Sequence, residues 1–140
     1  MEIQATTPDE VRALLAENDL PTDDLGDPAL ALFAARHEGE LVGAIGLQTC
    51  DHVGLLRSLA VGTTLRNRGI GEQLCRYLLK MATSRGVSDL YLLTTSAADY
   101  FTRFGFIAID RGDVPPAIRA TTQFGSLCPS SAIVMRCKIA

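Results

Sequence analysis

A glycine-containing turn, Arg66-Asn67-Arg68-Gly69-Ile70-Gly71, limits the folds open to this 140-residue chain more than any other segment. Before it lie an apolar stretch, Val53 to Val61, and a polar loop, Gly62 to Arg68. After it, Ile70, Leu74, Leu78 and Ala82 recur every four residues. They predict an amphipathic helix from about Gly69 to Arg85, which Gly86 ends as a left-handed cap. Leu90 to Leu93 is then a short apolar run, as expected for a strand buried on both faces. Strand, helix and strand form a crossover, so the two strands are predicted to be parallel neighbours in one sheet.

The turn has a chemical reading of its own. Glycine lets a backbone turn tightly and approach a ligand without a side chain in the way. Amides at a helix start point outward, and the helix dipole favours an anion there. Arg66 and Arg68 add forked cationic donors. A lone R-x-x-G-x-G matches by chance; set between a strand and a helix it predicts a phosphate cradle. The charge distribution agrees. Residues 1–40 hold ten of the sixteen acids against Arg12 and Arg36, whereas residues 41–140 hold six acids against eleven bases. A basic region on a protein of net charge −3 suits a small polyanion and argues against nucleic acid as partner.

The remaining segments fit one domain spanning residues 1–140. Thr7-Pro8-Asp9-Glu10 predicts a helix start with Thr7 as cap, and Val11, Leu14 and Leu15 give that helix an apolar face. Residues 18–28 are acidic and broken by two prolines and a glycine, hence loop. Leu30 to Arg36 and Leu41 to Leu47 read as strands around a tight turn at Glu38-Gly39-Glu40. Alternation from Val53 to Val61 predicts Val53, Leu55, Arg57, Leu59 and Val61 on one face and Leu56, Ser58 and Ala60 on the other. A short helix is expected over 97–104 and a strand over 106–109. Helical character follows over 115–122, and Ala132 to Ile139 closes the chain as a strand. Cys50, Cys75, Cys128 and Cys137 form no C-x-x-C pair, and neither His37 nor His52 completes a metal spacing. No metal is expected, and the thiols are read as reduced. The start of the sequence lacks a secretory pattern and no window suits a membrane span, so no membrane partner and a cytoplasmic location are expected.

At these residues the chain resembles a known family. Leu56-Arg57-Ser58-Leu59-Ala60-Val61, then Arg66-x-x-Gly69-x-Gly71, then Tyr100-Phe101-x-x-x-Gly105-Phe106, resemble the acetyl-coenzyme A site of the GNAT superfamily of N-acetyltransferases. Leu55 to Val61, Tyr91-Leu92-Leu93-Thr94-Thr95 and the segment from Ile118 to Ala132 further resemble the small GNAT proteins associated with bacterial arsenic resistance. That group's relatives include the acetyltransferase domain of N-acetylglutamate synthase. The resemblance implies an α/β fold with a central mixed sheet flanked by helices. It implies acetyl-coenzyme A as cosubstrate, held by Leu59, Ala60, Val61, Arg66, Asn67, Arg68, Gly69, Ile70, Gly71 and Glu72. It also implies transfer of acetyl to the amino group of a small molecule. Dimers are common in such families, and the apolar closing strand adds a reason to expect a homodimer.

The catalytic residues are less well marked. Many GNAT enzymes carry a carboxylate base on the strand occupied here by Arg57. Many carry an acid tyrosine where this chain has Phe101. Tyr100 is one residue earlier, rotated by about 100° on a helix, and is the candidate acid. Asp51 or His52 acting through water is a candidate base. An arginine in an apolar row must be paired. Arg57 is read as a fork for an acid group on the acceptor, with a structural ion pair to an acid such as Asp99 as the alternative. Arg119 and the hydroxyls of Ser126, Ser130 and Ser131 are candidates to complete that pocket, and Cys128 is a remote candidate for a soft arsenic contact. The expected acceptor is an acid-bearing amine such as an amino acid. A cationic amine, a protein N-terminus or a non-catalytic acetyl-coenzyme A sensor are the alternatives.

Overall fold

The computed structural model describes residues 1–127 and 131–139, with the side chains of all but Ser126 and Leu127. A seven-stranded mixed sheet runs through it in the order β1-β2-β3-β4-β5-β7-β6. The strands are β1 (Glu2–Ala5), β2 (Leu30–His37), β3 (Glu40–Cys50), β4 (Val53–Val61), β5 (Asp89–Thr94), β6 (Ile107–Ile109) and β7 (Ile133–Lys138). The helices are α1 (Pro8–Glu17), α2 (Ile70–Ser84), α3 (Ala98–Thr102) and α4 (Pro116–Arg119). Among the described residues only β4 and β5 pair in parallel. The short β1, exposed and weakly patterned, was not legible in the sequence; it pairs with β2 at the sheet's edge. Among the described residues no helix is long and apolar enough to cross a membrane.

The apolar stripe of α2 packs on one face of the sheet. Ile70, Leu74, Leu78 and Ala82 meet Val42, Ile45, Leu56 and Leu92 there, and Phe101, Phe104 and Phe106 close that layer. The other face carries two smaller clusters. One forms under α1 from Val11, Leu14, Leu15, Leu32, Ala44 and Ala60; the other forms under α4 from Val53, Leu55, Tyr91, Ile118 and Val134. At the start of α1, Thr7 makes no capping bond; its hydroxyl turns to the Glu10 carboxylate at 3.4 Å.

Two expectations are corrected by the sheet. β4 does not alternate throughout. Gly46 faces Arg57 and Ala44 faces Ala60, so two residues of β4, Ser58 and Leu59, oppose the single residue Ile45. Ser58 takes φ +60 at this bulge. The bulge shifts the register by one, so Leu59 and Val61 join Leu56 on the α2 face while Ala60 packs under α1. The closing strand is not spare. β7 lies between β5 and β6, so its apolar character serves its own sheet, and that ground for a homodimer falls away.

Candidate active site

β4 and β5 pair only over Val53–Leu55 and Asp89–Tyr91, although β4 runs on to Val61 and β5 to Thr94. Beyond Leu55 the two strands part. The bulge at Ser58 lies in this stretch and adds bend to β4. The opening is a cleft of about 490 Å³ lined by Leu56 to Leu59, by Leu92 to Ala97, by Tyr100 and by residues 18–21. A second groove, of about 710 Å³, continues from it along the start of α2. Asn18, Leu59, Ala97 and Tyr100 line both.

The second groove is built by the glycine turn. Gly69 stands just before α2 with φ +79, and Asn67 has φ +66, both in the left-handed region that favours glycine. The first ladder bond of α2 runs from the Gln73 amide to the Gly69 carbonyl at 3.1 Å, and no side chain caps the helix. The amides of Ile70, Gly71 and Glu72 therefore remain for an anion in the groove, where the helix dipole favours one. At Gly71 a Cβ would lie 2.6 Å from the Tyr100 hydroxyl oxygen, so only glycine leaves that ring in place. Arg66 and Asn67 line the groove, with the Arg66 guanidinium donating to Asn18 Oδ1 at 2.7 Å. Arg68 is exposed and does not line it. Glu72 contributes its amide; its carboxylate is held by Arg103 at 3.1 Å and Arg76 at 3.9 Å. Leu59 and Val61 also line the groove, whereas the side chain of Ala60 lies on the other face of the sheet. Free helix-start amides, a left-handed glycine and flanking guanidiniums fit the pyrophosphate of a coenzyme A thioester.

Tyr100 stands where the two openings meet. Phe101 beside it is buried in the core, as the rotation between successive helical residues requires. The Tyr100 hydroxyl lies beside the Cys75 thiol, and the Arg103 guanidinium lies over its ring, 5.4 Å from the centroid. Burial, and then the proximity of Cys75, push the Tyr100 hydroxyl up to about 12. It keeps its proton at neutral pH and is a hydrogen-bond donor at the junction. Burial likewise pushes the Cys75 thiol up to about 12.

The acceptor-side expectations need correction. Arg57 is 2% exposed, and its fork is already filled by a carboxylate, that of Asp24 rather than Asp99. Arg119 donates to the carbonyls of Val114 (3.1 Å) and Arg111 (2.7 Å), which spends it on the loop before α4 and away from the cleft. Ser131 is exposed and does not line the cleft. Asp51 and His52 form the turn between β3 and β4, at the opposite end of β4 from the bulge, and neither lines the cleft. Cys128 and Ser130, and the side chain of Ser126, lie outside the described residues. Among the described residues no cluster of side chains is arranged to hold a metal. Sequence reasoning passed over Asn18, Asp19, Asp24, Gln48 and Arg103. Each comes from a loop or an exposed face, or from a strand position where no periodicity singles it out. The polar run Thr94-Thr95-Ser96 directly after an apolar strand was the one available signal for the cleft's far wall.

The acetyltransferase (GNAT) family profile matches residues 2–106. The chain belongs to that family. Among GNAT relatives, an amino-acid acetyltransferase of Neisseria meningitidis is 29% identical over 85 residues, covering 59% of this chain and 20% of the relative. N-acetylglutamate synthase from Neisseria gonorrhoeae, complexed with coenzyme A and N-acetyl-glutamate, matches with a TM-score of 0.80 at 20% identity, over 99% of this chain and 35% of that one. An aminoglycoside 6'-N-acetyltransferase complexed with coenzyme A matches with a TM-score of 0.74 at 22% identity, over 100% and 98% of the two chains. This GNAT chain therefore spans only 20% of the curated relative and 35% of the synthase. At these identities the structural likenesses establish the shared fold.

Proposed function

We propose that this GNAT chain transfers acetyl from acetyl-coenzyme A to the amino group of a small acid-bearing molecule of the amino-acid kind. The observation that carries the transfer reading is the continuity of the two openings: an anion cradle on α2 leads directly into the parting of β4 and β5. A thioester laid along them brings its carbonyl beside the strand edge around Leu59 to Val61. Backbone amides on that edge would donate to the oxygen as it gains charge. The amine nitrogen attacks the carbonyl carbon, the carbon–sulfur bond breaks, and the amine's proton leaves. Tyr100, protonated at the junction, donates to the departing sulfur in this reading. Asp19 is the one carboxylate among the described residues lining the cleft, and accepts the amine's proton through water. Holding both reactants in one channel supplies the proximity contribution.

The acid-bearing acceptor is supported by the likeness to the amino-acid acetyltransferase and by the polar wall Thr94-Thr95-Ser96. A second reading, a cationic amine acceptor, is favoured by the neutralised Arg57 and by Asp19 in the cleft. The location proposed is the cytoplasm, where acetyl-coenzyme A is made and used. An arsenic link draws no support from Cys75 and Cys137, which are buried in the main core. A thiol-release assay on an amine panel tests the proposal. Turnover of amino acids and their analogues supports it. Turnover only of polyamines or aminoglycosides moves the assignment to the second reading. Acetyl-coenzyme A binding with no turnover overturns both and leaves a sensor.

A further inference from the structure

We propose that Arg57, Asp24 and Gln48 form a buried latch that positions the acceptor side of the cleft, Arg57 acting as a positioning residue and not as an acceptor ligand. The inference rests on the reading of the cleft as the acceptor site. Its starting point is the segment between α1 and β2. This stretch is irregular, yet residues 18–21 form one wall of the cleft. A wall without a hydrogen-bonded ladder needs other anchors to hold one conformation.

The anchors are polar and buried. The Arg57 side chain is fully buried and that of Asp24 nearly so. Arg57 Nη1 donates to Asp24 Oδ2, and Nη2 donates to Asp24 Oδ1 at 2.6 Å, a two-pronged pair. Arg57 Nε donates to Ser58 Oγ at 3.1 Å, and Nη1 also reaches Gln48 Oε1 at 3.4 Å. Gln48 passes the connection on: its Nε2 donates to Asp27 Oδ2 at 3.4 Å, while Asp27 Oδ1 accepts from the Ala29 amide at 2.9 Å. Two central strands are thus tied to residues 24, 27 and 29 of one segment. Leu25, 2% exposed, packs into the α1 cluster between those ties. At the other end of the segment, Asn18 is held by the Leu14 carbonyl at 2.9 Å and by Arg66. The wall therefore hangs between the coenzyme groove and the latch.

The bulge at Ser58 belongs to the same device. It supplies the oxygen that fixes Arg57 Nε, and it lies within the stretch in which β4 has left β5. Four of the five Arg57 N–H directions are taken within the protein, and the formal charge is cancelled by Asp24. An acceptor carboxylate would meet neither a free fork nor a net positive charge there.

The test uses Arg57→Met, Asp24→Asn and the double variant Arg57→Met with Asp24→Leu in the full chain. The singles leave one buried charged group unpaired; the double removes both charges and fills the space with apolar atoms, which commonly restores stability. The latch predicts that amide hydrogen exchange at Asp27, Ala29 and Leu30 speeds up about tenfold in each single relative to the middle of α2, and slows again in the double. It also predicts that acceptor KM rises about tenfold in the singles and returns to within about threefold of wild type in the double, with acetyl-coenzyme A KM unchanged. A stable double variant that keeps the raised acceptor KM overturns the proposal and makes Arg57 an acceptor ligand. Unchanged exchange in both singles overturns it as well. If the wild type acetylates no amine, the functional reading fails, yet the exchange measurement still decides the latch.

Discussion

Gly69 and Gly71 stand two residues apart and are needed for different reasons. At Gly69 the constraint is the backbone angle, since a Cβ added there would meet nothing within 4 Å. At Gly71 the constraint is space, because the Tyr100 hydroxyl occupies the position. Gly71→Ala is therefore expected to displace Tyr100 and weaken acetyl-coenzyme A binding about tenfold, or ~1.4 kcal/mol, by calorimetry. Adding Tyr100→Phe should recover much of that loss, because the phenyl ring ends one atom sooner. Cys75 and Tyr100 also set a pH dependence. Both are raised to about 12 in the fold, from 9.0 and 10.0. A raised acid keeps its full contribution below the unfolded value, and loses it as pH climbs through the folded one. Thermal stability should thus fall between about pH 9 and 12. Cys75→Ala should flatten that fall; an equally steep decline in the variant would show that the thiol does not contribute.

At the scale of the element, β4 is the strand whose local chemistry most affects the site. Its alternating sequence reads as a straight strand, and the pairing with β3 makes it a bulged one. The left-handed Ser58 costs roughly 1–2 kcal/mol relative to an extended residue. Its bond to Arg57 Nε offsets about 1 kcal/mol of that. Ser58→Gly removes the angular cost and the bond together, so its stability in urea should stay within about 1 kcal/mol of wild type. Ser58→Val loses the bond and places a branched side chain at positive φ, so it should lose roughly 2–3 kcal/mol. A neutral Ser58→Val would mean that the bulge relaxes, and acceptor turnover should then change with it. By contrast α2 behaves as its sequence predicts, since its buried face follows from 3.6-residue periodicity and needs no partner to specify it.

At the scale of the whole molecule, the order β5-β7-β6 places the last strand inside the sheet. The family match ends at residue 106, before that strand begins. A fragment of residues 1–106 would leave the inner edge of β5 unpaired along Asp89–Thr94 and take Val134 and Met135 from the core. It is expected not to fold, which circular dichroism and proteolysis would check; a cooperatively melting fragment would refute the dependence. The sequence by itself determined the crossover from β4 through α2 to β5, the glycine cradle and the apolar stripe, because these depend on residues close together in the chain. It also marked Arg57 as an arginine that had to be paired. Only the tertiary structure decided the partner, since Asp24 lies 33 residues away on a loop without periodicity. The same holds for the bulge, which exists only in the mismatch between β3 and β4, and for β7, whose place depends on which strand edges the rest of the sheet leaves open. Nearest-neighbour chemistry writes itself into a sequence as spacing and residue type. Contacts between distant segments form when the whole sheet satisfies its backbone and buries its apolar faces at once, and no local pattern records which segments will meet.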